Sequence, residues 1–382
     1  MSIVLLVIGL LLFVGLVVIH EFGHFIAARR NGVEVEEFGI GFPPRAWSRK
    51  IHDKKGGFLF SLNWLPIGGF VKLKGESDAA KEPGSLGVAS TWSKTKIMLA
   101  GVIMNLVVAF GLFTILGWIG MPQLVEDQFT VKSDTKVVNN DVLVGYVEKN
   151  SPAEIAGLEA RDELLAIGPA GRMEQVYSAN DLPKLTEKFA GKNVIVQYDR
   201  KGEGKRETSL TLRSKEQVEA SKKTEHPQGY LGILPSDYAM TRSTWSAPIV
   251  AAGLIGQFSG LTFQGLGNAV AAIFQGDGSK AAENVSGPVG IFVLLKQGSL
   301  IGFQLILFLI ALISLTLTLM NVLPIPALDG GRLYMVLLSR LSQRLGGKAM
   351  SQEMEERIVG ASFLFLLFLI VLITIVDVKR FF

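Results

Sequence analysis

The chain has 382 residues, 49% of them hydrophobic and 19% charged, a balance that fits an integral membrane protein carrying a sizeable soluble part. It contains no cysteine, so disulfides and thiolate metal sites are excluded, and any zinc site must use imidazole and carboxylate. The net charge of +4 is spread along the chain, with no basic block carrying interleaved aromatics, which argues against nucleic-acid binding.

Residues 1–28 are apolar from Ile3 onward and predict a first membrane span, long enough at about 1.5 Å per residue to cross with some tilt. No Lys or Arg precedes the run. It ends in His20-Glu21-Phe22-Gly23-His24 rather than a small-residue cleavage site, so it reads as a retained span and not a signal peptide. On a helix, His20 and His24 stand one turn apart on one face, and both imidazoles can reach one metal ion. Glu21 can then act as general base beside a metal-held water. The alternative is a helix that has left the membrane, with two surface histidines. Ionisable groups at membrane depth are costly, and half of the four histidines fall in this pentapeptide, which favours the metal pair.

Arg29, Arg30 and nine further Lys and Arg between Arg45 and Lys94 mark residues 29–95 as cytoplasmic. The N-terminus then faces outward, and His20 and His24 lie in the cytoplasmic half of the bilayer. Within this segment, residues 57–75 are apolar and aromatic but interrupted by Pro66, Gly68 and Gly69, so they are too short to span. Two readings stand: a re-entrant β-hairpin beside the metal site, or an interfacial β-hairpin with a structural role. Gly68, Gly69 and Phe70 are where an extended edge could hold an unwound substrate strand. Residues 96–120 predict a second span. Gly101, Asn105 and Ala109 recur at i, i+4, i+8 as a small, partly polar face, with Asn105 either glue between helices or a partner of the site.

Residues 121–235 hold no span and are expected outside the cell membrane. Strands are predicted at 142–147, 164–167, 194–198 and 207–212, a short helix within Ser151–Leu158, and another over 181–189. This order resembles a PDZ domain, with Ser151-Pro152-Ala153-Glu154-Ile155-Ala156-Gly157-Leu158 as its most specific piece. Arg161-Asp162 stands where a Gly-Asp pair is common. The resemblance implies capture of extended peptides by strand addition and of peptide ends through backbone N–H groups. Residues 236–300 are moderately apolar and glycine-rich, and predict interfacial amphipathic helices, punctuated by Ser286-Gly287-Pro288-Val289-Gly290-Ile291.

Residues 301–323 predict a third span, running inward, with Ser314, Thr318 and Asn321 on one polar face. Residues 324–357 follow as a cytoplasmic segment carrying Arg332, Arg340, Arg344 and Arg357. Its opening, Pro324-Ile325-Pro326-Ala327-Leu328-Asp329-Gly330-Gly331, unwinds the helix at the prolines, and the glycines permit a tight turn after Asp329. Residues 358–376 predict a fourth span. This topology brings the C-terminal ends of spans one and three to the same side. Asp329 can then complete a zinc site with His20 and His24, leaving one open position. Glu21 would take a proton from the attacking water and pass it to the leaving amine, and Asn321 would hydrogen-bond substrate or the developing oxyanion. Asp329 could instead serve as a helix N-cap.

The pair of motifs, His20-Glu21-x-x-His24 early and Asn321-x-x-Pro324-x-Pro326-x-Leu328-Asp329-Gly330 late, resembles the bacterial site-2 proteases of the regulator-of-sigma-factor type. Pro66-Ile67-Gly68-Gly69-Phe70 is similar to their re-entrant hairpin, and Ser286–Ile291 to the segment before their third span. Span two reads Gly101-Val102, where a proline often follows the glycine. The resemblance implies a multi-span α-helical membrane protein, four spans plus a membrane-associated β-hairpin, with one inserted α+β PDZ domain. It implies a Zn²⁺ endopeptidase of the bacterial inner membrane that cuts single-span substrates, such as anti-sigma factors and remnant signal peptides, after a prior site-1 cut outside. The PDZ domain would filter by size or dock peptide ends. Two other classes compete: a membrane zincin of another family cutting at the cytoplasmic face, with Glu353, Glu355 or Glu356 as third ligand, and a non-enzymatic PDZ scaffold or metal transporter.

Overall fold

The structure, a computed structural model, describes residues 2–53, 56–76, 80–125, 127–222, 227–278, 280, 285–346 and 350–381. The chain forms two compact units, one of Met1–Leu116 with Ala247–Phe382, the other of Gly117–Ser246.

The first unit opens with helix α1, Ser2–Arg30, followed by strands β1, Val35–Asp53, and β2, Gly56–Leu73, and helix α2, Thr91–Ile119. Helices α1 and α2 run antiparallel and touch, since His20 faces Asn105 while His24, further on, faces Ile97, and a Cβ on Gly23 would lie 2.6 Å from the Ala100 carbonyl oxygen. The strands correct the expectation for 57–75. That stretch is not a hairpin closed on itself. Its two halves flank the start of β1, with Phe38 opposite both Phe60 and Val71, and Gly39 opposite both Ser61 and Phe70. Leu59 also pairs with Lys50, so the order across the sheet is 69–73, 35–40, 58–62, 45–53. Gly68, at φ 89°, takes a left-handed bend that carries β2 from one side of β1 to the other. Arg45, Arg49 and Lys50 mask the strand character of 45–53 in the sequence. The sheet packs on α1 through Phe25, whose ring lies 5.4 Å from Phe38 and 4.9 Å from Phe58. Strand segment 69–73 is therefore an edge lying alongside the end of α1.

The second unit contains strands β3, Met121–Pro122; β4, Lys136–Val147; β5, Glu163–Gly168; β6, Glu174–Gln175; β7, Asn193–Arg200; β8, Gly204–Thr211; and β9, Ile233–Arg242. Helices α3, Pro152–Ile155, α4, Leu182–Lys188, and α5, Lys215–Ser221, lie among them. The sheet runs β3-β9-β4-β5-β7-β8, with β6 on β5. Alternate residues of its strands, including Val142, Val144, Val194 and Val196, form a core with Leu158, Leu164 and Leu210. Ser151 caps α3 by accepting from the Glu154 N–H, and Pro152 supplies its first turn. Every element expected here between 142 and 212 is present. The expected boundary at 235 falls short, because β9 pairs along the whole of β4 as far as Arg242. Pro235 and Asp237 hide that strand from a pattern reading. Arg161 takes φ 79°, the conformation a glycine would hold more easily.

The first unit resumes with helices α6, Ala247–Phe274; α7, Pro288–Ile301; α8, Phe303–Val322; α9, Asp329–Arg344; and α10, Gln352–Phe381. Five helices among the described residues are long and apolar enough to cross a membrane: α1, α2, α6, α8 and α10. The first, second, fourth and fifth of these fall on the four expected spans, and α6 lies where interfacial helices were expected. Helix α8 runs parallel to α1, since Gly9 lies against Ile306 near their N-terminal ends and His20, further along α1, meets Asp329 just beyond the C-terminal end of α8. Leu16, Leu295, Ile306 and Ile310 form the core where α1, α7 and α8 meet. Helix α7 begins under the carboxylate of Asp377 on α10, which is buried and accepts the N–H groups of Gly287 at 2.9 Å and Gly290 at 2.8 Å. A distant helix thus supplies the cap that Gly287 itself cannot.

Candidate metal centre

His20 and His24 project from one face of α1, both nearly fully buried. Asp329 is the first residue of α9, brought in by the unwound loop that follows α8. Its Oδ2 lies 2.9 Å from His20 Nε2 and 3.2 Å from His24 Nε2, and the two Nε2 atoms are 3.2 Å apart. Among the described residues these three side chains form the cluster that could hold a metal ion. Glu355 and Glu356 stand elsewhere, and Glu353 pairs with Arg357, so none of the alternative third ligands joins it.

The donor set fits zinc. A ligating Nε2 must carry no proton, which requires Nδ1 to carry one and donate it. His24 Nδ1 does so, to the Ile97 carbonyl oxygen at 2.8 Å. Space is also reserved. A Cβ on Gly101 would lie 2.4 Å from His24 Nε2 and 2.7 Å from His20 Nε2, so a side chain there would fill the point where the ligand atoms converge. Three protein ligands and room for a fourth position is the arrangement of catalytic zinc.

The glycines after Asp329 act differently from expectation. Gly330 and Gly331 are helical and form no tight turn. A Cβ on Gly331 would lie 1.9 Å from the Ile325 carbonyl oxygen, and one on Gly330 2.4 Å from that of Val322. They let α9 start hard against the loop that precedes it, which fixes Asp329. The N-cap position is held by Leu328, so the Asp329 carboxylate is not the cap.

Glu21, His24 and Asp329 line a cavity of about 230 Å³ together with Phe70 and Val71 of the edge strand. Successive N–H groups of a strand point to opposite edges. Those of Phe70 and Lys72 face β1, and those of Val71 and Leu73 face outward. The two outward groups are engaged by carboxylates, Val71 N–H by Glu21 Oε2 and Leu73 N–H by Glu76 Oε1, both at 3.0 Å. Glu76 also pairs with Arg332 at 2.9 Å. These two residues line both this cavity and an adjoining one of about 550 Å³. Gly68 and Gly69 do not line the cavity beside Glu21; they pack against Val17 and Val18 of α1. Asn321, half-buried at the end of α8, does not line it either.

Gly101 and the Glu76–Arg332 pair escaped the sequence reading. Gly101 stood in plain view as a packing residue, and the signal was its place one turn from the polar Asn105 on the same face. The pair carried no signal, because 256 residues separate its members.

Two imidazoles and a carboxylate around one point, with a glutamate beside them that is not among the three, are the arrangement of a metal-dependent hydrolase. The sequence profile of Peptidase family M50 matches residues 8–369, and the chain belongs to that family, the site-2 proteases. It is a membrane zinc metalloprotease. Zinc metalloprotease RasP of Shouchella clausii is 25% identical over 96% of this chain and 97% of its own. A Clostridium acetobutylicum protein with a provisional zinc-metalloprotease designation is 29% identical over 99% of this chain and 98% of its own. The provisionally designated protease Eep of Enterococcus faecalis is 27% identical over 96% and 97%.

Proposed function

We propose that the enzyme cuts peptide bonds inside the membrane-spanning segments of single-span proteins. The observation that carries this reading is the shared cavity: the base Glu21 and the ligands His24 and Asp329 open onto the outward edge of strand 69–73. A helix in lipid has all its backbone groups paired internally, so its scissile carbonyl is shielded until the helix unwinds. An unwound segment then needs new partners. It would add to the edge at Val71 and Leu73, displacing the carboxylates of Glu21 and Glu76 from those N–H groups. Glu21 would accept the proton of the attacking water and return it to the leaving amine. Zinc, when bound, supplies a polarised carbonyl and a water made acidic enough to react near neutral pH. Phe70 would line the substrate's path, whereas Gly68 and Gly69 shape the edge from behind. Asn321, one loop away from Asp329 and outside this cavity, would meet only substrate that extends beyond it.

Four crossings suit the chain path. Helix α2 is antiparallel to α1 and α8, so the chain leaves α2 and enters α8 at the same end of the bundle. The helices between them must cross an even number of times. Helix α7 has 14 residues, about 21 Å, too short for a core of roughly 30 Å. A lone crossing by α6 would leave the count odd, which favours α6 along the interface. The cationic ends at Arg29, Arg30 and Arg332 support a reading with the site in the cytoplasmic half of a bacterial inner membrane. The unit Gly117–Ser246 then lies outside, where its PDZ-like element order suits docking of peptide ends left by an earlier cut.

The test is cleavage of a single-span substrate by full-length enzyme in vesicles, with Glu21→Gln as control and fragments mapped by mass spectrometry. Cuts inside the span, lost in Glu21→Gln while zinc stays bound, are expected. Cuts confined to flanking soluble residues, or persisting in the variant, would refute the proposal.

A further inference from the structure

Asn105 on α2 is 1% exposed, and its side-chain amide faces His20, with Nδ2 3.2 Å from His20 Nδ1. Its Oδ1 is buried with no hydrogen-bond partner. The backbone of the same residue is held separately, by Ser314 Oγ of α8 donating to the Asn105 carbonyl oxygen at 2.8 Å. The two histidines therefore differ. His24 has a backbone carbonyl to receive its Nδ1–H, and His20 has only an amide.

That difference decides which way the amide must point. With Nε2 as ligand, His20 carries its proton on Nδ1 and needs an acceptor there. An amide nitrogen cannot accept, while an amide oxygen can, and a half-turn about χ2 exchanges the two. The Oδ1 is the end left without a partner, and the half-turn gives it one at His20 Nδ1. We propose that Asn105 is the positioning residue for His20: its Oδ1 accepts the His20 Nδ1–H when zinc is bound and so fixes Nε2 as the ligand. The proposal rests on the zinc reading of the site. It assigns to Asn105 a role in metal binding beyond holding α2 against α1.

The experiment measures zinc affinity of purified full-length protein by competition with a chelator, alongside thermal stability of the metal-free form. Partners of metal-ligating histidines typically carry 10–100-fold in affinity, so Asn105→Leu should weaken zinc binding by about that factor. Asn105→Asp keeps an acceptor and should stay within roughly threefold of wild type. Ser314→Ala removes the bond to the Asn105 backbone and should lower thermal stability while leaving zinc affinity unchanged. Wild-type affinity in Asn105→Leu, or equal losses in the Asp and Leu variants, would overturn the proposal. Should Asn105→Leu fail to fold, Asn105→Asp and the nitrogen resonances of His20 decide. A zinc-loaded wild type whose His20 carries its proton on Nε2 refutes the assignment. A wild type that binds no zinc would instead refute the reading of the metal site itself.

Discussion

Gly101→Ala tests the metal centre with a single methyl group. The added Cβ would lie 2.4 Å from His24 Nε2 and 2.7 Å from His20 Nε2, about 1 Å inside ordinary contact with the first. Neither neighbour is free to give way. His24 is pinned by its bond to the Ile97 carbonyl oxygen and His20 by Asn105. The backbone of α2 is equally constrained, because Ala100 packs on Gly23 with no room for a side chain. A shift of about 1 Å at a catalytic constellation costs on the order of 100-fold in rate, and a zinc–nitrogen bond of about 2.0 Å tolerates far less. We expect zinc affinity and kcat/KM each to fall at least about 100-fold. The control is Gly111→Ala on the same helix, where the new Cβ meets nothing within 4 Å. Alanine is favoured over glycine in a helix by up to about 1 kcal/mol, so that variant should be neutral or slightly more stable. The readouts are zinc content after dialysis against chelator, cleavage rate and melting temperature. A Gly101→Ala enzyme with normal zinc content and rate would show that the ligand atoms do not converge where the structure has them.

Asp377→Leu strips the cap from α7 and leaves two buried N–H groups unpaired, a cost of about 1–3 kcal/mol each, whereas Asp377→Asn keeps an acceptor and should lose less. Denaturant titration of the detergent-solubilised protein checks this, and equal stability of the two variants would contradict it. In the second unit, the hydroxyls of Ser246 and Thr244, with their backbone N–H groups, hold the Asp134 carboxyl well below its ordinary value of 3.8. A carboxyl with a lowered folded pKa stabilises the fold above its unfolded pKa and loses that contribution as pH falls through the folded one. The stability gap between wild type and Asp134→Asn should therefore be full at pH 7 and close below 3.8, as read by thermal melts across that range.

The ligands were legible because a helix converts spacing into direction. His20 and His24 at i, i+4 face one way whatever surrounds them, and Glu21 follows. Asp329 was legible only through topology: charge at the helix ends put it on the same side as His20, and in the structure its Oδ2 lies 2.9 Å from His20 Nε2. The sheet was less legible. Pairing is non-local, and nothing in Phe58–Leu73 says that its two halves meet different sides of 35–40 rather than each other. Pro66 and Gly68 read as a hairpin turn because local signals report that the chain bends, not what it bends around. β9 was lost for a related reason, since its strand character comes from its partner β4 and not from its own alternation. Glu76 and Arg332 were invisible as a pair, each an ordinary charge in its own segment.

The stripe Gly101, Asn105, Ala109 shows why packing and chemistry were hard to separate by reading. Small residues at i, i+4, i+8 let two helices approach, and that is how the stripe reads in isolation. Here the approach is itself a requirement of the site. His24 can donate to the Ile97 carbonyl oxygen at 2.8 Å only if α2 lies this close to α1, and that bond holds the ring in its ligating form. The same closeness would drive a side chain at 101 into the ligand atoms, so the residue there must be glycine. One turn on, the polar member of the stripe meets His20 instead of a backbone group. Ala109, a further turn on, is fully buried. The face of α2 is thus the back wall of the metal centre, and each position along it is set by the ligand it stands behind.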